Sequence, residues 1–339
     1  FHARISEKVL NPLTATAWVL ESGGEHAVFV SCDLVSISPL LLGSVREKLK
    51  DRCDGLDPFK VVLNATHTHT APDVHVPSGD FGNAAYAGVI DFGEPVMTVE
   101  DYAAFAAEQI ASAVIQAWKE RAPGGIAFGQ GFAVVGRNRR WVTANGNSIM
   151  YSLYEGNADQ FRHIEGYEDH SLNVIAAYNR DGELTGLVVN VPSPSQEGEN
   201  AFLLSADFWH ETRRELRRRF GENLFVLPQC SAAGEQTTHL MFEAKAYHRM
   251  LELKKRTVFE DIAQRISNEA EEIVAAIRPT IDHDPVLLHQ AEIVELATSR
   301  LSEEDLRQAE AEAEELQAVY EAEMRKLEEN PQLREQPRW

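Results

Sequence analysis

A chain of 339 residues is long enough to bury a large core in one or two domains, and 44% hydrophobic with 25% charged residues is an ordinary globular composition. Its formal net charge of −21 excludes a phosphate-backbone partner, because nucleic-acid binding needs a basic surface. The longest apolar runs, such as 28–30 and 186–191, are of strand length, far below the roughly 18 residues that cross a bilayer, so no transmembrane segment is expected.

Residues 14–20 and 26–33 have strand patterns joined by Glu21-Ser22-Gly23-Gly24, which predicts a hairpin. A helix is expected over 39–49, then a buried strand over 60–65 that delivers Thr66-His67-Thr68-His69. Residues 73–95 are rich in Gly and Pro and lack periodicity, and a loop of that length is uncommon unless it is functional. Thr98-Val99-Glu100-Asp101 has the form of a capping box, opening a helix that runs to about Arg121 and stops at Ala122-Pro123-Gly124-Gly125. A strand is expected over 126–135, followed by a second hairpin, 172–178 with 184–191, turned by Asn179-Arg180-Asp181-Gly182.

Ser205 is expected to cap the next helix and Gly221 to end it. A short apolar strand over 224–227 then leads into 228–239. Beyond Leu240 the pattern predicts a long helix over 241–277, a strand over 286–295 and an acidic helix over 302–329. Strands interspersed with helices define the fold class as α/β: a layered mixed β-sheet with flanking helices, plus a long C-terminal helical segment. The division expected is an α/β domain over 1–300 and an acidic helical extension over 301–339.

Cys32, Cys53 and Cys230 are too few and too scattered for a disulfide framework, which favours a reducing, cytoplasmic compartment. The chain starts at Phe1 without a methionine, so a secreted location stays open. Arg213, Arg214, Arg217, Arg218 and Arg219 lie on an amphipathic helix and are expected to form a solvated face.

The densest chemistry is in Asn64-Ala65-Thr66-His67-Thr68-His69-Thr70-Ala71-Pro72. In an extended segment residues i and i+2 share a face, so two imidazoles stand side by side at a strand end. That geometry suits a metal ligand beside a proton-transfer residue; a surface turn with two solvated histidines is the alternative. Arg137, Arg139 and Arg140 would suit a carboxylate, sulfate or sugar acid, or else form a solvated loop. Trp141, Tyr151 and Tyr154 either stack on sugar rings or belong to the core. His163 and His170, flanking Glu165, Glu168 and Asp169, are a further metal candidate of no standard spacing, as is His75 in the long loop.

Asn64 to Pro72 resembles the His-Thr-His-Ser-Gly-Pro signature of the neutral/alkaline ceramidases, and other blocks follow in that family's order. Val30-Ser31-Cys32-Asp33-Leu34 resembles its early strand ending in Asp, and Gly136-Arg137-Asn138-Arg139-Arg140 its Asn-Arg-Ser-Pro block. Residues 169–178 with 186–196 resemble the hairpin leading to its His-Pro-Thr-Ser-Met segment. Residues 229–239 resemble the Gly-Asp-Val-Ser-Pro-Asn block that bears its nucleophile. Together these cover roughly 13–239.

The resemblance implies hydrolysis of a lipid amide with a divalent metal, zinc in the family. It makes His67 the metal ligand, His69, Thr237 and His239 catalytic, and Arg137, Asn138, Arg139 and Gln196 substrate-binding. The chain departs from the pattern at two points. Val191 stands where the family has its second ligand histidine, with Asn190 and Ser195 as weak substitutes. Thr237 stands at the nucleophile, where it needs a base such as His239; Thr237 and Thr238 as plain loop hydroxyls are the alternative. Three functions therefore stay open: a metal-dependent hydrolase of an amide or related bond, a hydrolase or lyase of an acidic carbohydrate, or a non-catalytic binding protein meeting its partner through the acidic helix. Self-association into a homo-oligomer is likewise open.

Overall fold

The computed structural model describes residues 5–75, 96–150, 158–298 and 300–335. It divides into two compact units, Phe1–Ala291 and Glu292–Trp339. The first begins with β1 (Lys8–Val9), the hairpin β2 (Ala15–Ser22) and β3 (Glu25–Cys32), α1 (Pro39–Leu49) and β4 (Val61–Ala65). β2 and β3 are antiparallel, while β4 returns parallel to β3 after the α1 crossover. Ser38 caps α1 by accepting from the Leu41 N–H, and Pro39 stands at its first turn, where a missing N–H costs nothing. α2 (Val99–Glu120) starts at Thr98, whose hydroxyl accepts from the Asp101 N–H. These helices bury Leu41, Val45, Ile110, Val114 and Trp118 with Val28, Val30 and Val61 of the sheet.

A second sheet has the order β13-β11-β10-β5, with β5 (Gly124–Phe132) at its edge. Between β5 and β10 come the short strands β6 (Arg137–Asn138), β7 (Arg140–Thr143), β8 (Ser148–Met150) and β9 (Phe161–Ile164). β10 (Ser171–Asn179) and β11 (Leu184–Val191) form the expected hairpin; β12 (Leu203–Leu204), α3 (Phe208–Phe220), β13 (Phe225–Cys230) and β14 (Gln236–Thr237) follow. β13 lies parallel to β11. α4 (Ala244–Lys254) leads into α5 (Val258–Ile277). α3 and α5 close the main core, in which Phe208, Trp209, Leu216, Ile262 and Ile266 meet Val174, Leu187 and Val189. α5 passes close over β5, where a β-carbon on Gly129 would lie 2.6 Å from Ile277 Cγ2.

Several expectations are corrected. The helix expected over 241–277 is broken: Lys255 adopts left-handed φ of 52°, and Thr257 with Glu260 forms a full capping box that starts α5 afresh. α2 ends at Glu120 with Arg121 as its C-cap, as expected, while β5 spans Gly124–Phe132 rather than 126–135. Residues 286–298 carry no strand; the chain just before them makes an isolated bridge, Asp282 to Ile126, that does not extend into a ladder. The cap of α3 is Asp207, not Ser205, whose hydroxyl instead accepts from the Asp207 N–H.

The basic face of α3 is only partly solvated. Arg213 is buried in a bidentate pair with Asp33, while Arg218 and Arg219 both hold Glu215. Most of the long loop, residues 76–95, and the aromatics Tyr151 and Tyr154 lie outside the described residues. The second unit contains α6 (Glu303–Glu329), opened by a capping box of Ser302 and Asp305.

Candidate functional site

β4 ends at Ala65, but its pairing continues as Thr66 N–H donates to Cys32 O and Thr68 N–H to Leu34 O. Between them His67 turns to φ +61°, a left-handed backbone uncommon for a residue with a β-carbon. The two imidazoles therefore do not meet by simple strand alternation. They lie edge to face, ring centres 5.1 Å apart, with His67 Nδ1 donating to Val35 O at 2.6 Å. Burial foremost, then the neighbouring His69, and finally Arg139 hold His67 below its ordinary value, against the opposing Val35 hydrogen bond.

His69 is locked from the other side. Its N–H donates to Ser195 O, and the Ser195 hydroxyl donates back to Thr66 O at 2.7 Å, stitching the histidine strand to the chain beyond β11. His69 Nδ1 lies 2.9 Å from Glu199 Oε2. The second oxygen of that carboxylate is 3.5 Å from His239 Nδ1, and His239 Nε2 reaches Gln196 O at 3.0 Å. Gln196 donates to Glu199 at 3.2 Å and accepts from Arg139 Nη1 at 3.4 Å. Burial pushes the Glu199 carboxyl up, but the hydrogen bond from His69 and the charges of His239 and His69 outweigh it, and the net position is below the ordinary value.

The backbone brings the third segment in. β6 and β14 are antiparallel, with Asn138 opposite Gln236 and Arg137 opposite Thr237. Arg139 donates to Gly234 O at 2.8 Å. His69, Gln196 and His239 thus converge on one carboxylate, Glu199, with His67 against His69 and Arg139 against Gln196; the sequence did not single Glu199 out. Its only signal was the polar run Gln196-Glu197-Gly198-Glu199 after β11, which does not separate Glu199 from Glu197.

The remaining residues are placed otherwise. Arg137 pairs with Glu243 at 2.6 Å and Arg140 with Glu165, whose carboxyl the Arg140 hydrogen bond pulls down to about 2. Of the three arginines, Arg139 is the one beside the histidines, so the cluster is no three-pronged anion cradle. Asn138 is fixed inside the turn, its Oδ1 accepting from the Arg140 N–H and its own N–H donating to Glu168. Thr237 is 0% exposed, with Oγ1 accepting from the His239 N–H. Val191 is buried in the main core. Trp141 is a core residue packed with Met241 and Phe161, not a sugar platform. His170 lies 3.4 Å from Glu168, and His75 bonds to Asp73 and Ser36. Among the described residues no three His, Cys, Asp or Glu side chains are grouped to hold a metal ion. These residues by themselves do not make up a zinc ligand set.

Comparison with protein-family models and with curated proteins returns no match. Among solved structures, the chain is similar to a neutral ceramidase from Pseudomonas aeruginosa, with a TM-score of 0.55 and 22% identity over 77% of this chain and 39% of that one. It is also similar to a ceramidase complexed with C2, at a TM-score of 0.53 and 20% identity over 77% of this chain and 38% of the other. The fold is therefore of the ceramidase type, and the chain spans about two fifths of the length of those proteins. Among the described residues no helix is long and apolar enough to cross a membrane.

Proposed function

We propose that the chain is a ceramidase-like hydrolase of an amide or related bond, with Glu199 between His69 and His239 as the core of its acid–base centre. That bridged carboxylate is the observation that carries the reading: two imidazoles from distant segments converge on one half-buried acid. His67 is the base in this scheme. Its cation is disfavoured, and the Nδ1–H given to Val35 leaves Nε2 as the basic nitrogen. His67 takes a proton from water as the water oxygen attacks the carbonyl carbon, and Arg139 stabilises the developing oxyanion. The His69–Glu199–His239 array delivers a proton to the departing nitrogen as the C–N bond breaks.

Water rather than Thr237 makes the attack, because a wholly buried hydroxyl has no open face. No step uses a metal. A panel of fluorogenic N-acyl amines of short and long acyl chain tests the reading: turnover that is lost in His67→Ala supports it, and a panel silent for the wild-type protein overturns it.

The aliphatic Val191 and the buried Thr237 favour, as a second reading, a binding protein on the same fold. Tight binding of the same N-acyl amines by the wild-type protein, without turnover, distinguishes it. The pairing of Arg137 and Arg140 with carboxylates counts against an acidic carbohydrate substrate.

A further inference from the structure

One corner of the chain holds both halves of this centre. Asp207 is buried and sits at φ +55°, a second left-handed residue bearing a β-carbon beside the site. Both its carboxylate oxygens are committed. Oδ1 accepts from the Phe208 N–H at 2.8 Å and caps α3, whereas Oδ2 accepts from the Gly198 N–H at 2.8 Å, in the loop between Gln196 and Glu199. The approach is close, since a β-carbon on Gly198 would lie 3.4 Å from Asp207 Oδ2 and from Phe259 Cζ.

The same corner grips the histidine segment. Thr68 and Thr70 hydroxyls both donate to Ser205 O, at 2.8 and 2.9 Å, and the Ser205 N–H donates to Thr70 O at 3.1 Å. The Asp207 N–H closes the corner on the Ser205 hydroxyl at 2.9 Å.

Resting on the hydrolase reading above, we propose that Asp207 is a positioning residue. Through the Gly198 N–H it fixes the loop that sets Glu199 against His69, while Ser205 fixes the strand end that carries His69. Helix capping alone does not require an aspartate, because one side-chain oxygen suffices for it. Asp207 serves Phe208 and Gly198 through two separate oxygens, and among short side chains only a carboxyl group offers two acceptor oxygens. The carboxylate is kept at a cost: burial pushes it up to about 7, with Glu197 and Glu199 adding repulsion, against the two backbone bonds that favour its charge. A residue chosen only for stability would not carry that penalty.

The test reads the position of Glu199 without turnover. In Asp207→Asn the α3 cap can be kept while the second acceptor is lost. The carbon-13 signal of the Glu199 carboxyl and the nitrogen-15 signal of His69 Nδ1, assigned by their absence in Glu199→Gln and His69→Gln, are compared in both proteins above about pH 8, where wild-type Asp207 is ionised, with circular dichroism confirming the fold. The expected result is a displacement of both signals in Asp207→Asn, as the contact between Glu199 and His69 is lost; a His69 signal unmoved in the folded variant overturns the proposal. Where Asp207→Asn does not fold, the wild-type protein serves. There the Gly198 amide proton and the Glu199 carboxyl carbon shift together as Asp207 titrates, and a Glu199 signal blind to that step overturns the proposal. Neither readout depends on catalysis, so failure here leaves the hydrolase reading standing, and a silent substrate panel leaves the clamp standing.

Discussion

Replacing Arg213 by methionine would break the most deeply buried ion pair described. Its guanidinium is bidentate on Asp33, with N–O distances of 2.9 and 3.0 Å, and the side chains are 6% and 0% exposed. Asp33 also accepts from the Thr14 N–H and hydroxyl and from the Thr66 hydroxyl, so its charge is held by groups that remain in the variant. Leaving a buried carboxylate without its cation costs about 3–5 kcal/mol, a large part of the 5–15 kcal/mol by which a typical protein is stable. At an m-value of ~3 kcal/mol/M in urea this lowers the unfolding midpoint by about 1–1.7 M. Circular dichroism against urea reads it. The double variant Asp33→Asn with Arg213→Met removes both charges and should lose less than the sum of the single losses. A midpoint within ~0.3 M of wild type for Arg213→Met, on the same m-value, would refute the reasoning.

Trp141→Ala removes a wholly buried indole packed against Met241 and Phe161, and a loss of about 3–5 kcal/mol is expected in the same assay; less than 1 kcal/mol would place that residue outside the core. Gly129→Ala drives a β-carbon into Ile277 and Ile273 of α5, and overpacking of about 1–3 kcal/mol should appear as a lower melting temperature. His67, held below its ordinary value of 6.5, binds its proton more weakly folded than unfolded. Its contribution to stability is therefore present above about pH 6.5 and lost as pH falls through the lowered folded value. Stability at pH 5 and pH 7.5 should differ less in His67→Gln than in wild type, and an unchanged difference contradicts the assignment.

What was legible in the sequence was local. The β2–β3 and β10–β11 hairpins followed from turn residues between alternating runs, and the starts of α1, α2 and α6 from their first turns. The pair of histidines at the end of β4 was legible too, though the left-handed turn at His67 that orients it was not. Arg213 was misread because charge pattern along a helix is blind to a carboxylate 180 positions away. Glu199 was missed for a related reason. Its meaning comes from His69 and His239, each brought to it by backbone contacts that no spacing rule encodes. The apolar residues within 286–295 suggested a strand, but composition names no pairing partner, and that segment carries no ladder.

The most direct test is the kcat/KM of Glu199→Gln beside wild type on the best N-acyl amine of the panel, with melting temperatures measured in parallel. A carboxylate that organises two imidazoles for proton transfer should be worth at least ~100-fold, so the variant should fall by that factor while still folding. Equal kcat/KM in a folded Glu199→Gln protein would contradict the account, because the hydrolysis would then proceed without the group on which the site is built.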